Sequence, residues 1–233
     1  MKIVMLVAAH KDYWMPSDAV YKPIQVGAAG KAPLHPDWLR DDTGDQISRK
    51  NAGFCELTGY YWAWKNYPAE VYGTCHYRRY FANHALGRPK KQRLLTAAQI
   101  QRLLQNADIV LPPKRHYWIE TRESQYIHAH NAQDLQCARQ VLTEKYPEYL
   151  PEWERVMRSR SGHIFNMLIA RRTIFDAYYT WLFDLLFEVE KRLDTSGYSP
   201  SDQRVFGYLA ERLLDVYVLH NHLRWVECPV VNL

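Results

Sequence analysis

A chain of 233 residues, 47% hydrophobic and 24% charged, has the composition of a folded protein with a substantial core, which excludes the disordered and fibrous classes. No apolar run reaches the roughly 20 residues of a membrane-spanning helix, and four cysteines without CxxC spacing, read as reduced and structural, imply neither a zinc site nor a disulfide framework. The net charge of +5 is spread along the chain apart from small clusters at 88–93 and 155–160, weaker than the footprint of a nucleic-acid binder, while seventeen Tyr and eight Trp either fill a core or stack on sugars and bases.

Residues 2–8 read as a first strand; the opening MKIVMLVAAH is too short and too quickly polar for a signal peptide, so the protein is read as cytoplasmic. A second strand is expected at 24–26, followed by the small-residue loop QVGAAG (25–30). The polar turn DDTGDQISRKN (41–51) leads into a helix over 48–65, where Phe54, Leu57, Tyr61 and Trp64 recur on one face, with Asp45 or Ser48 as its cap. A third strand, 71–77, runs into CHYRRYF (75–81). Thr96 and Gln99 form a capping-box pattern ahead of a helix, and a fourth strand, 107–111, is closed by Pro112 and Pro113. Asn131 with Asp134 opens a further helix, FNMLIA (165–170) is a last strand-like run, and 172–193 carries an aromatic helical stripe. Ser199 and Pro200 introduce a helix over 201–216. This order gives an α/β fold with a mainly parallel sheet and a more helical C-terminal half, in one unit over 1–233.

In open α/β sheets, ligands collect outside the carboxyl ends of the strands. QVGAAG lies there, yet lacks the GxGxxG and GxxxxGK[ST] spacings, so it is a plain loop or a close backbone approach to a ligand. Ser48, Lys50 and Asn51 either cap a helix or hold a nucleotide. Arg78 and Arg79 are permanent cations suited to phosphate oxygens or to surface ion pairs, and His76 is a base, a phosphate donor, a metal ligand or a plain hydrogen-bonding residue. His163 and Asn166 enter the last strand, and Asp202, Gln203 and Arg204 occupy a helix's first turn, where a carboxylate also complements the dipole.

YYWAWKN, CHYRRYF, FNMLIA and QRVFGYLAERLL, with VGAAG and GDQISRKN, resemble a bacterial capsular or exopolysaccharide biosynthesis family long labelled a domain of unknown function. Its members look like GT-A glycosyltransferases and include galactofuranosyltransferases. The resemblance implies a GT-A-like (Rossmann-like) domain, with residues 1–115 holding a nucleotide-sugar and 116–233 facing the acceptor. It implies transfer of a hexose, galactofuranose or galactose among the candidates, from a UDP-sugar to a growing capsule, O-antigen or exopolysaccharide.

By the same resemblance Ser48, Lys50 and Asn51 contact the nucleoside, with Gly27 and Ala28 at the donor. His76-Tyr77-Arg78 falls where related enzymes carry Asp-x-Asp, Asn166 looks like the asparagine of the acceptor-side strand, and Asp202-Gln203 like the start of a third motif. No carboxylate stands at 76–78 to hold Mg²⁺ or Mn²⁺, so the expectation is metal-independent catalysis without a cofactor, Arg78, Arg79 and His76 neutralising the diphosphate and Tyr80 walling the site. Asp202 is the expected base, ahead of Glu211, and Gln203 lies on the donor side. His128, His130, Tyr126 and Trp118 are expected to line the acceptor. Peripheral contact with the inner face of the cytoplasmic membrane, where lipid-linked saccharides reside, is compatible with a chain lacking a spanning helix. The rival readings are a non-catalytic nucleotide-sugar or saccharide-binding module and a nucleic-acid binder; the recurrence of polar segments at strand ends favours the transferase, with no nucleic-acid partner.

Overall fold

The run IVMLVAA forms β1 (Ile3–Ala9), buried at six of its seven residues, as a strand covered on both faces requires. The computed structural model describes residues 1–85 and 87–233. They fall into two compact units, the first comprising 1–113, 167–176 and 224–233, the second 114–166 and 177–223.

In the first unit, β2 (Tyr21–Gln25) and β3 (Leu39–Arg40) follow in parallel beside β1, and β4 (Val71–His76) lies parallel on its other side. The sheet order is β10-β6-β9-β4-β1-β2-β3, where β6 is Ile109–Leu111, β9 is Ile169–Arg171 and β10 is Trp225–Glu227. Along this path only β9 runs against its neighbours, so the sheet is mixed and mostly parallel, as expected. β5 (Arg79–Phe81) adds antiparallel to β4, and β11 (Val230–Asn232) to β5. The register sets Ala8 opposite His76 and Ala9 opposite Gln25, so the carboxyl ends of β4, β1 and β2 finish level at one edge.

The helix expected over 48–65 is broken. A 3-10 turn at Ser48–Lys50 leads to α1 (Asn51–Phe54), the chain reverses at Cys55 with φ 51°, and α2 (Leu57–Asn66) continues. The Asn51 side chain donates to the Cys55 carbonyl (2.6 Å) and so satisfies the break. Neither Asp45 nor Ser48 caps it: Asp45 accepts from Tyr61 Oη, and Ser48 donates to Asp41. Gly59 lets α2 close on β2, because a Cβ there would meet Val26 Cγ1 at 2.7 Å. The Thr96–Gln99 capping box forms and starts α3 (Ala97–Asn106).

Three strand expectations shorten, the fourth from 107–111 to Ile109–Leu111. The third strand stops at His76, because His76 pairs with Arg79 across a two-residue turn; CHYRRYF is a hairpin, with Arg78 in the turn and Arg79 already in β5. FNMLIA is strand only from Ile169, since Phe165 (φ 80°) and Asn166 (φ 51°) turn the backbone into the left-handed region.

The second unit contains the short hairpin β7 (Arg115–His116) and β8 (Ser161–Gly162), and the helices α4 (Arg122–Ala129), α5 (Ala132–Lys145) and α6 (Leu150–Arg158). α7 (Arg172–Arg192) gives its first five residues to the first unit and the rest to the second. Asn131 precedes α5 without a side-chain cap. The helix expected from 201 begins as a 3-10 turn, Asp202–Arg204, and becomes α8 (Val205–His220). The aromatic stripe of α7 is core: Tyr178, Tyr179, Trp181 and Phe183 are all at least 95% buried. No helix among the described residues is long and apolar enough to cross a membrane.

Candidate functional site

Asp41 organises the loop after β2. Fully buried, it accepts through Oδ2 from the Gly27 amide (2.8 Å) and Thr58 Oγ1 (2.6 Å), and through Oδ1 from the Ala28 amide (2.9 Å) and Ser48 Oγ (2.5 Å). The Ala29 amide donates to Ser48 Oγ. Arg40 closes the loop from outside, donating to the Ala28 and Lys31 carbonyls while paired with Asp42. The expectation that Gly27, Ala28 and Ser48 touch a donor is corrected in this respect: their amides and hydroxyl are turned inward onto a carboxylate. Asn51 is likewise committed to Cys55 and Thr58, which leaves exposed Lys50 as the outward-facing member of the group. Gly27 must be glycine, with φ 60° and a Cβ position 2.6 Å from Asn51 Oδ1.

Beside that loop, the exits of β1 and β4 gather cations round Tyr77, which is almost fully buried. Its ring has His10 edge-on at 5.2 Å, the Lys11 ammonium at 5.6 Å and the Arg78 guanidinium at 5.2 Å. Tyr13 packs against the same ring at 5.1 Å. His76 lies 4.3 Å from it and accepts the Arg78 amide on Nδ1 (3.4 Å), which leaves the proton of a neutral ring on Nε2. Arg78 is exposed and Arg79 half-buried. Tyr80 does not wall the site: its ring is fully buried and its hydroxyl donates to the Tyr77 carbonyl, with burial raising its pKa, so it supports the hairpin from below.

This edge does not fit a hard divalent cation. Such an ion takes carboxylate and carbonyl oxygens, whereas the hairpin offers one imidazole among guanidinium and ammonium groups, and all the hydrogen-bonding capacity of Asp41 faces the loop. Among the described residues no group of three His, Cys, Asp or Glu side chains gathers. What the edge can do is bind phosphate oxygens.

In the second unit, Asp202 and His130, 72 residues apart in sequence, come together at 3.3 Å. His130 stacks on Tyr208 (4.1 Å), and Ser199 Oγ donates to Asp202 (2.7 Å). Hydrogen bonds from Ser199 and then His130 hold the Asp202 carboxyl below its ordinary pKa of 3.8. Gln203 is exposed next to it. Tyr126 cannot stack on a sugar: it is fully buried and donates to Asp134 (2.8 Å). Asp134 also accepts from Tyr198, and burial raises its pKa. His128 is exposed and sits 2.5 Å from Glu120, away from the His130–Asp202 pair, and Trp118 is 81% exposed.

The Phe165–Asn166 turn is held by α8. The Phe165 amide donates to Glu211 Oε1 (2.9 Å) and Asn166 Nδ2 to the Gly207 carbonyl (3.0 Å), so Glu211 anchors the turn. Below it lies a charge cluster in which Asp215 accepts from both Arg122 and the His163 ring, and from the His163 amide (3.0 Å). Burial alone would raise Asp215, but His163 and Arg122 hold it below the ordinary carboxylate range. Asp41, His10, Lys11 and Asp215 were not singled out by sequence, and Asp134 was read only as part of a helix start. Asp41 left a signal as the first residue of the polar turn.

A comparison with curated proteins finds no match. Among solved structures, the chain is similar over its whole length to the bifunctional glycosyltransferase WbbM in its apo form, with 27% identity and a TM-score of 0.91. It spans 45% of that protein's chain, so the likeness concerns one part of a longer molecule. The fold is thus that of a glycosyltransferase domain. The sequence model described as a domain of unknown function, DUF4422, matches residues 4–222, and with nearly all of its length matched the chain belongs to that family.

Proposed function

We propose that the protein is a glycosyltransferase that moves a hexose from a UDP-sugar to a hydroxyl of a growing capsule, O-antigen or exopolysaccharide chain, galactofuranose and galactose being the sugars to test first. The observation that carries this reading is the full-length similarity to part of a bifunctional glycosyltransferase. The cation-lined edge at the ends of β1 and β4 supports it, since a departing nucleoside diphosphate needs counter-charge in the transition state. Arg78 and Arg79, with Lys11, supply that charge without a metal, and His76 donates a hydrogen bond from Nε2; residues 1–115 serve the donor and 116–233 the acceptor.

In the reaction the bond from the anomeric carbon to the diphosphate oxygen breaks and UDP leaves with the electron pair. The acceptor oxygen forms the new bond to that carbon, and its proton passes to the Asp202 carboxylate. His130 and Ser199 keep that carboxylate ionised and oriented, and exposed Gln203 stands beside it in sequence.

The test is UDP release from a panel of UDP-sugars, with and without saccharide acceptors. Release that depends on both partners supports transfer. Donor binding without turnover supports the second reading, a nucleotide-sugar-binding module, for which the absence of a carboxylate in the CHYRRYF hairpin speaks.

A further inference from the structure

Away from the β4 hairpin turn, the first unit has an open pocket of about 490 Å³ between α3 and the chain leading from β10 to β11. This is within the range of small-molecule sites, roughly 300–1,000 Å³. Its wall is largely apolar: Ala82, Leu95, Leu103, Ala107, Val226 and Pro229. α3 presents Gln99, Arg102, Leu103 and Asn106 to it, the i, i+3, i+4, i+7 stripe of one helical face, while Ile100 and Leu104 of the same helix are buried. An amphipathic helix thus turns a second partly apolar face to an open space.

The segment that passes the cavity is basic: from Ala82 to Ala107 the sequence has no Asp or Glu, yet carries five Lys and Arg, namely Arg88, Lys90, Lys91, Arg93 and Arg102. Arg102 and His84 are exposed on the lining. Arg93 donates through Nε and Nη2 to the carbonyl of Asn83, another lining residue, and the Ala82–Leu94 bridge closes the base of the basic segment against the cavity wall. Lys90 donates to the Asn232 carbonyl and Lys91 lies 4.4 Å from the Trp14 ring, so both are held by neutral groups. Among the described residues no carboxylate pairs with Arg88, Lys90, Lys91, Arg93 or Arg102; Glu227 is the one acid on the lining.

An apolar chamber with a cationic rim is the complement of an amphiphile with an anionic head. We infer that this cavity is a binding site for an anionic phospholipid, one apolar chain lying against Leu95, Leu103 and Val226 and the phosphate held by Arg93, Arg102 and the 88–91 cations. The site docks the protein at an anionic bilayer without a spanning helix. It is separate from the transfer reading and stands or falls apart from it.

The experiment uses the full chain in two arms. In the first, it is sedimented with phosphatidylcholine vesicles with and without phosphatidylglycerol, as wild type and as Arg88→Ser/Lys90→Ser/Lys91→Ser; binding should require phosphatidylglycerol and fall about a hundredfold in the triple variant. In the second, wild type and Leu103→Gln are titrated with dihexanoyl phosphatidylglycerol and with glycerol phosphate. The short-chain lipid should bind wild type at least about tenfold more tightly than the headgroup alone, and Leu103→Gln should erase the difference. Equal binding of both vesicle types overturns the site. Glycerol phosphate binding as tightly as the lipid overturns it in favour of a plain phosphate site, and this wild-type comparison stands even if Leu103→Gln fails to fold.

Discussion

Asp41 receives four hydrogen bonds, and through them one carboxylate fixes the backbone of the Gly27–Ala29 loop against Ser48 and Thr58. Asp41→Asn would turn an N–H₂ toward two donors. The expected loss is about 1–3 kcal/mol for the buried donors left unpaired, read from the urea midpoint; an unchanged midpoint would show that the loop is held by Arg40 alone. Asp202 makes a different prediction. Because Ser199 and His130 lower its pKa, the carboxylate stays ionised below pH 3.8, and the acid limb of the transfer profile should lie there. His130→Ala removes one of those supports and should move the limb upward, while Asp202→Asn should abolish transfer and leave donor binding near wild type. Turnover in Asp202→Asn within about tenfold of wild type would remove it from the mechanism.

The elements show where periodicity informs and where it stops. β1 was legible because seven apolar residues in a row have few other uses, and α3 because its cap is spelled by Thr96 and Gln99. The break at Cys55 was not, since the apolar face of the helix continues through it and the Asn51 and Thr58 side chains satisfy the Cys55 carbonyl. The hairpin in CHYRRYF was half legible: adjacent arginines signalled a strand end, but the pairing of Arg79 into a further strand rests on β11, some 150 residues later. The Phe165–Asn166 turn depends in the same way on Glu211 and Gly207 of α8, and the Asp202–His130 pair joins side chains 72 residues apart. α8 also carries Asp215, whose removal leaves Arg122 and His163 buried without their counter-charge. Asp215→Asn should cost roughly 3–5 kcal/mol in chemical denaturation. Since its folded pKa lies below its unfolded one, the pair's contribution is present above about pH 4 and is lost as pH falls through the lower, folded value. Stability of the wild type that stays flat through that fall, while Asp215→Asn is no less stable, would contradict this account.

On the scale of the whole chain, a mostly parallel sheet ends three strands level at one edge, and the chemistry at that edge is cationic. Related enzymes of the GT-A type were expected to place a metal-binding carboxylate pair there; this chain places His76, Tyr77 and Arg78. We propose that guanidinium charge, not a divalent cation, stabilises the departing nucleotide. The most direct measurement is UDP release with acceptor in excess EDTA, for wild type and for Arg78→Ala. The account predicts undiminished turnover of wild type in EDTA and a fall of about 10²–10³-fold in kcat for Arg78→Ala; loss of activity in EDTA with recovery on adding Mn²⁺, or an Arg78→Ala enzyme as fast as wild type, would contradict it.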